Sequence, residues 1–136
     1  MTKKELNELQ YEIMGACIEV HKALGPGLLE SVYHKCLKHE LYLRKLSYRS
    51  ELEVKLEFKG MDLQTDLRCD FLIEDKIVLE LKAVDGIIPV HEAQLLTYMK
   101  LLKKSKGILV NFNTDNIFKN GQRVFVSEDF RKLAEK

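Results

Sequence analysis

The sequence predicts an α/β fold of the α+β type, in which a central antiparallel-to-mixed β-sheet is flanked by helices. Apolar residues recur at helical spacing through the first third of the chain. Residues 51–58 then alternate charged and apolar side chains, and residues 77–84 are almost wholly apolar. These patterns indicate helices first, next a strand with one solvent-facing side, and then a strand covered on both faces.

The helical segments are bounded by recognisable stop and start residues. Apolar periodicity predicts a helix over residues 4–24, which Gly25-Pro26-Gly27 ends, and a second helix over residues 28–46. A third helix is predicted over residues 90–104. Ser127 is followed by two acids, which suits the N-terminus of a closing helix.

The strands are predicted from period-two alternation and short apolar runs, with a turn at residues 59–62. The last of them is expected at an edge of the sheet. The predicted strands cover residues 52–58, 63–73, 77–84, 108–112 and 123–126.

Length and composition narrow the class of protein. The chain of 136 residues suits a single domain over residues 1–136. Its 22 basic and 21 acidic residues give a net charge of +1, so no global signal for nucleic-acid binding is present. The three cysteines lack CxxC spacing, which favours neither a zinc site nor disulfides. No apolar run is long enough to span a membrane, and we expect a cytoplasmic protein.

The most informative stretch places charged side chains where burial is expected. Glu80 and Lys82 are two apart, so on a strand they share one face. A three-residue hairpin loop at residues 74–76 would set Asp70 directly across from Glu80. In the alternative interpretation, Glu80 and Lys82 form a partly exposed ion pair and Asp70 simply precedes a turn.

Two facing carboxylates predict a cation site. About 5 Å apart at an effective dielectric of about 20, they repel by about 3 kcal/mol, and a divalent cation reverses that cost. Oxygen-only ligands suit Mg²⁺ or Mn²⁺ better than zinc. Lys82 would then stabilise charge building on phosphorus and orient water. A general-base role for Lys82 stays open.

Two helical stripes add candidate residues. Gly27, Glu30 and Tyr33 recur every three residues at the start of the second predicted helix, and Glu30 could hold metal-bound water or a second ion. The alternatives are a first-turn acid that favours the helix dipole and a tyrosine of the core. Gln94 and Tyr98 form an i, i+4 pair that could bind phosphate oxygens or orient a catalytic group, although Tyr98 could also be core.

Further charged residues on the third helix have simpler interpretations. His91 is expected at the helix start and not as a ligand. A lysine cluster near the helix end is interpreted first as a solvated face and second as a phosphate track. The cluster consists of Lys100, Lys103, Lys104 and Lys106.

Asp70 followed by Glu80-Leu81-Lys82 resembles the D…(D/E)-x-K signature of the PD-(D/E)XK nuclease superfamily. More narrowly, residues 27–33 resemble the motif of the GxxExxY proteins, and residues 94–98 are similar to the Q-x-x-x-Y element of exonuclease branches. Cys69 stands where the signature has proline.

The resemblance implies a restriction-endonuclease-like core and metal-dependent hydrolysis of phosphodiester bonds. It implies Asp70 and Glu80 as metal ligands, Lys82 as a catalytic residue and Glu30 as an auxiliary catalytic and metal-binding group. Tyr33, Gln94 and Tyr98 would position substrate.

Three functions remain open. The first is a Mg²⁺- or Mn²⁺-dependent nuclease acting on DNA. The second is a nucleic-acid-binding module that retains the fold without turnover, and the third is a protein-interaction or structural domain. Because a lone domain of this size offers limited surface for gripping a duplex, a homodimer is also expected.

Overall fold

The computed structural model describes residues 1–63 and 66–136. Helices and strands together account for most of the described chain. In chain order they are α1 (Lys3–Leu24), α2 (Glu30–Leu43), β1 (Tyr48–Glu53), β2 (Leu56–Phe58), β3 (Met61–Leu63), β4 (Arg68–Ile73), β5 (Ile77–Lys82), α3 (Pro89–Leu102), β6 (Lys106–Asn111), a π-helical turn (Ile117–Gly121), β7 (Gln122–Val126) and α4 (Glu128–Arg131).

Five strands form one sheet in the order β1-β4-β5-β6-β7. Strands β5 and β6 are parallel, and the other neighbours are antiparallel. The parallel pair needs a crossover, and α3 supplies it. Strands β2 and β3 form a separate two-stranded hairpin. The predicted class, a mixed sheet with flanking helices, is confirmed.

The core fills both faces of the sheet. On one face α1 and α2 pack against Leu79 and Leu81, and on the other α3 packs against Val78 through Leu95 and Met99. Strand β5 is therefore covered on both sides, as its apolar sequence predicted. Each fully buried side chain of this kind contributes about 1.5–3 kcal/mol.

The β4–β5 hairpin fixes the register on which the candidate site depends. Ile73 pairs with Ile77, which leaves Glu74, Asp75 and Lys76 as a three-residue loop. Glu74 and Asp75 both have positive φ, at 53° and 55°. The predicted loop length is confirmed.

Several element boundaries differ by a few residues from the sequence-based prediction, and two of the differences bear on the fold. Helix α2 begins at Glu30 and not at residue 28, because Gly27 has φ 98° and belongs to the preceding loop. The single strand predicted over residues 52–58 is wrong: β1 starts at Tyr48 and ends at Glu53, and residues 56–58 form the detached hairpin. Phe58 is exposed there, so the alternating pattern did not mark a continuous buried face.

The remaining predictions concern the ends of β3 and β4 and the C-terminal elements. The strand predicted over residues 63–73 includes residues 64 and 65, which lie outside the described residues, and β4 begins at Arg68. Strand β7 lies at a sheet edge and Ser127 occupies the N-cap position of α4, as predicted. Within the described part of the chain, no helix is both long and apolar enough to cross a bilayer.

Candidate active site

Asp70 and Glu80 meet where strands β4 and β5 part. The last paired residues are Phe71 and Leu79, so the register sets Asp70 opposite Glu80. The Asp70 amide donates to Oε2 of Glu80 at 2.7 Å, and the Leu81 amide donates to Oδ2 of Asp70 at 2.8 Å. Each carboxyl group therefore satisfies a backbone amide of the opposite strand, which holds the two acids side by side.

The acid pair is electrostatically unfavourable without a partner. Glu80 is only 4 % exposed. Burial first and the charge of Asp70 second raise the pKa of Glu80 to about 9, and a hydrogen bond between the two carboxyl groups acts in the same direction. Without a cation, Glu80 is therefore protonated at neutral pH, and a nearby cation would favour its ionised form.

Glu30 approaches this pair from the first turn of α2. Partial burial first and the charge of Asp70 second raise the pKa of Glu30, and Lys82 opposes both. The structure thus brings Glu30 into the electrostatic field of Asp70 and Lys82.

Tyr33 holds the loop that precedes α2 and Glu30. Its ring is fully buried and stacks on Phe112, with centroids 4.5 Å apart. Its hydroxyl donates to the Gly25 carbonyl at 2.6 Å and accepts from the Leu28 amide at 3.1 Å. Tyr33 therefore belongs to the core, and any substrate-positioning role, which stays a prediction, would act through this loop.

Lys82 ends β5 with its side chain half-buried. Its charge lowers the pKa of both Glu30 and Glu80, although other causes dominate at each. Among residues 1–63 and 66–136, no carboxylate oxygen lies within 4.0 Å of its ammonium group. Lys82 therefore does not form the ion pair with Glu80 that the alternative interpretation requires.

Gln94 and Tyr98 cover the site from α3. The Gln94 amide donates to the Tyr98 hydroxyl at 3.2 Å. Tyr98 is 2 % exposed, and burial first and the charge of Glu80 second raise its pKa. His91 accepts a hydrogen bond from the Ile88 amide at 3.2 Å, the expected helix-start position. Tyr98 is thus a buried residue beside Glu80, and Gln94 is hydrogen-bonded to its hydroxyl.

Comparison with known proteins identifies the family of this chain. A family model described as the PD-(D/E)XK nuclease superfamily matches residues 7–124. The chain belongs to this superfamily. The match confirms the predicted restriction-endonuclease-like α/β fold, while the narrower resemblance to GxxExxY proteins stays a prediction. No curated protein and no solved structure matches the chain.

The acid pair of this PD-(D/E)XK domain fits a hard divalent cation. Asp70 and Glu80 supply only oxygen donors. Because burial and Asp70 raise the pKa of Glu80, a nearby positive charge would favour its ionised form. In the part of the chain that the structure describes, however, no three His, Cys, Asp or Glu side chains are grouped closely enough to hold an ion. The predicted ligand roles of Asp70, Glu80 and Glu30 therefore stay predictions.

A cavity of about 300 Å³ beside Asp70 contains residues that sequence reasoning missed. Glu51 lies opposite Asp70 in the β1–β4 register, and its φ of 51° is unusual within a strand. No local pattern identifies it, because the pairing joins distant segments. The other lining residues are Glu30, Ser31, His34, Lys35 and Lys38, of which His34 and Lys38 continue the helical spacing of Glu30.

The lysine cluster at the end of α3 lies away from the PD-(D/E)XK acids. Lys104 pairs with Asp75 at 3.2 Å, in the hairpin loop at the opposite end of β5 from Lys82. Lys106 is 2 % exposed; it donates to Asn7 and lies over an aromatic ring. The prediction of a solvated face is therefore wrong for Lys106, because apolar packing and an amide partner bury it.

Proposed function

We propose that this domain is a metal-dependent nuclease that hydrolyses phosphodiester bonds of DNA in the cytoplasm with Mg²⁺ or Mn²⁺. The observation that carries the proposal is the reciprocal bonding of Asp70 and Glu80 beside an unpaired Lys82. Glu80 is buried and Asp70 is half-buried beside it. Burying a charged carboxylate costs stability unless it is paired or coordinates a metal. A structural role alone gives no reason to keep a lysine free next to them.

The proposed roles follow from where each group lies. Asp70 and Glu80 would hold the ion with Glu30 as an auxiliary group, and the bound ion would supply a Lewis acid that polarises phosphate and lowers the pKa of attacking water. Lys82 would stabilise the negative charge that builds on the phosphoryl oxygens and orient the water. Gln94 and Tyr98 would fix the position of the Glu80 carboxyl and of the adjacent phosphate.

A second candidate is a nucleic-acid-binding module without turnover. The observation in its favour is that the described residues contain no preformed group of three ligands. Binding of DNA without metal-dependent cleavage would support it. Superfamily membership alone does not separate the two candidates, because a shared fold does not determine activity.

Replacing Lys82 by Ala tests the proposed chemistry. We expect the variant to fold and to take up Mg²⁺ or Mn²⁺ in calorimetry, because the ion itself neutralises the acids. Cleavage of DNA should fall about a hundred- to a thousandfold, since a transition-state contact of this kind is worth about 2.7–4 kcal/mol. Lys100→Ala, a change of the same type at an exposed position, is the matched control.

The assay should cover single- and double-stranded DNA and RNA, each with Mg²⁺, Mn²⁺ or a chelator. Wild-type cleavage rates in Lys82→Ala would refute the mechanism. Ion uptake by the wild-type protein without cleavage of any substrate would favour the binding module, and no ion uptake would favour a structural role for the acids.

A further inference from the structure

Three basic side chains continue along α2 from Glu30. Glu30, His34 and Lys38 are spaced four residues apart, so they lie on one side of the helix, and Lys35 flanks them. We call His34, Lys35 and Lys38 the α2 ridge. At about 1.5 Å per residue, Lys38 lies roughly 12 Å along the helix axis from Glu30.

The α2 ridge lines the same cavity as Glu30 and Asp70. All three of its residues line the cavity of about 300 Å³ that Asp70 and Glu51 also line. The acids lie on the sheet side of this cavity or at the start of the helix, and the bases lie on the helix side. The cavity therefore has an acidic wall, suited to a cation, and a basic wall, suited to an anion.

The lysines of the α2 ridge form no ion pair with the residues that the structure describes. In the described ranges 1–63 and 66–136, no carboxylate oxygen lies within 4.0 Å of the ammonium of Lys35 or Lys38. Nε2 of His34 is buried without a hydrogen-bond partner, while the ring stacks on Phe71 with centroids 4.4 Å apart. Lys104, by contrast, already pairs with Asp75.

We propose that the α2 ridge binds the sugar–phosphate backbone of the DNA strand next to the bond that is cut. The inference rests on the proposed nuclease function and names the substrate contacts of the same site. Consecutive phosphates of one strand in a duplex are about 3.4 Å apart along the axis. The distance from Glu30 to Lys38 therefore corresponds to about three nucleotides beyond the scissile phosphate.

Binding of labelled DNA tests the α2 ridge separately from catalysis. Fluorescence anisotropy would measure the affinity of a duplex DNA oligonucleotide for protein carrying Lys82→Ala, in Mg²⁺, over a range of salt concentrations. The test variant adds Lys35→Ala and Lys38→Ala. The control adds Lys132→Ala and Lys136→Ala, which remove the same charge at exposed positions that do not line the cavity.

We expect the α2 ridge variant to bind about tenfold more weakly at low salt, because two phosphate contacts are lost. The slope of log affinity against log salt should fall by about 1.8, at about 0.9 per contact for duplex DNA. The control should keep the parental slope, and Lys35→Arg with Lys38→Arg should restore affinity. Thermal unfolding of each variant would verify that it is folded.

The outcomes separate this proposal from the nuclease proposal. Equal affinity and equal salt slope for the test and control variants would overturn the α2 ridge and leave cleavage untouched. Loss of affinity through the α2 ridge in a protein whose wild-type form never cleaves DNA would support the ridge and overturn the nuclease. Absence of DNA binding by the parent protein would overturn the ridge as well.

Discussion

The carboxyl group of Glu80 links the stability of the domain to pH. An unfolded chain releases this proton near its ordinary pKa of 4.5, whereas burial and Asp70 delay release in the folded chain to about 9. Between these two values the unfolded state binds fewer protons than the folded state. Stability contributed by this group is therefore complete below the lower value and is lost as pH rises towards the upper one.

Replacing Glu80 by Gln should remove this dependence in the metal-free protein. The Gln carbonyl can still accept the Asp70 amide, and no charge has to be buried. We expect the free energy of unfolding of the wild-type protein to fall between about pH 5 and pH 9, and that of Glu80→Gln to fall less. Urea unfolding across this range, with exposed Glu53→Gln as control, measures the difference; parallel pH profiles for Glu80→Gln and wild type would contradict it.

In strand β4, alternate side chains stop pointing to the same side of the sheet at Asp70, which lies opposite Glu51 in β1. Phe71 packs with α1 and α2, whereas Cys69, two residues earlier, packs with α3. Residues two apart on a regular strand share a face, so the strands must twist locally between them. The φ of 51° at Glu51 lies at the same point. This irregularity turns Asp70 out of the ladder towards Glu80 and the cavity.

The left-handed backbone of Glu51 should make this position sensitive to side-chain shape. We expect Glu51→Val to lower the free energy of unfolding by about 1–2 kcal/mol, because a β-branched residue disfavours positive φ. Glu51→Gly should keep stability close to the wild-type value, since glycine adopts this conformation freely. Glu53→Val, in the same strand, is the control for valine itself. Equal losses at positions 51 and 53 would show that the backbone at Glu51 carries no strain.

Sequence reasoning succeeded where the information is local and failed where it is not. The register that joins Asp70 to Glu80 follows from one hairpin loop of three residues, and apolar periodicity placed the three long helices within a few residues. Glu51 was missed because its partner Asp70 is distant in sequence and its φ leaves no compositional trace. Lys106 was misplaced because its amide partner Asn7 comes from the other end of the chain.

For the whole molecule, the net charge of +1 does not show how unevenly the charged residues are distributed. Acids and free bases face one cavity at one end of β5, while Lys104 and Lys106 are used for internal contacts. Local charge at one site therefore matters more for substrate binding than the balance of the chain. That residues 1–136 form one domain stays a prediction.

We expect the protein to act on duplex DNA as a dimer, because each chain would contain a single catalytic centre. In the proposed nuclease, one chain would supply one Asp70–Glu80 pair and one Lys82 for one phosphodiester bond at a time, whereas cutting both strands of a duplex in one event would require two centres. A two-fold dimer would supply both and double the phosphate contacts. We expect sedimentation velocity to show a dimer on duplex DNA, and the rate of duplex cleavage at low protein concentration to rise with the square of that concentration. A monomer both free and on duplex DNA, with a rate proportional to concentration, would refute the dimer and indicate that each strand is cut independently.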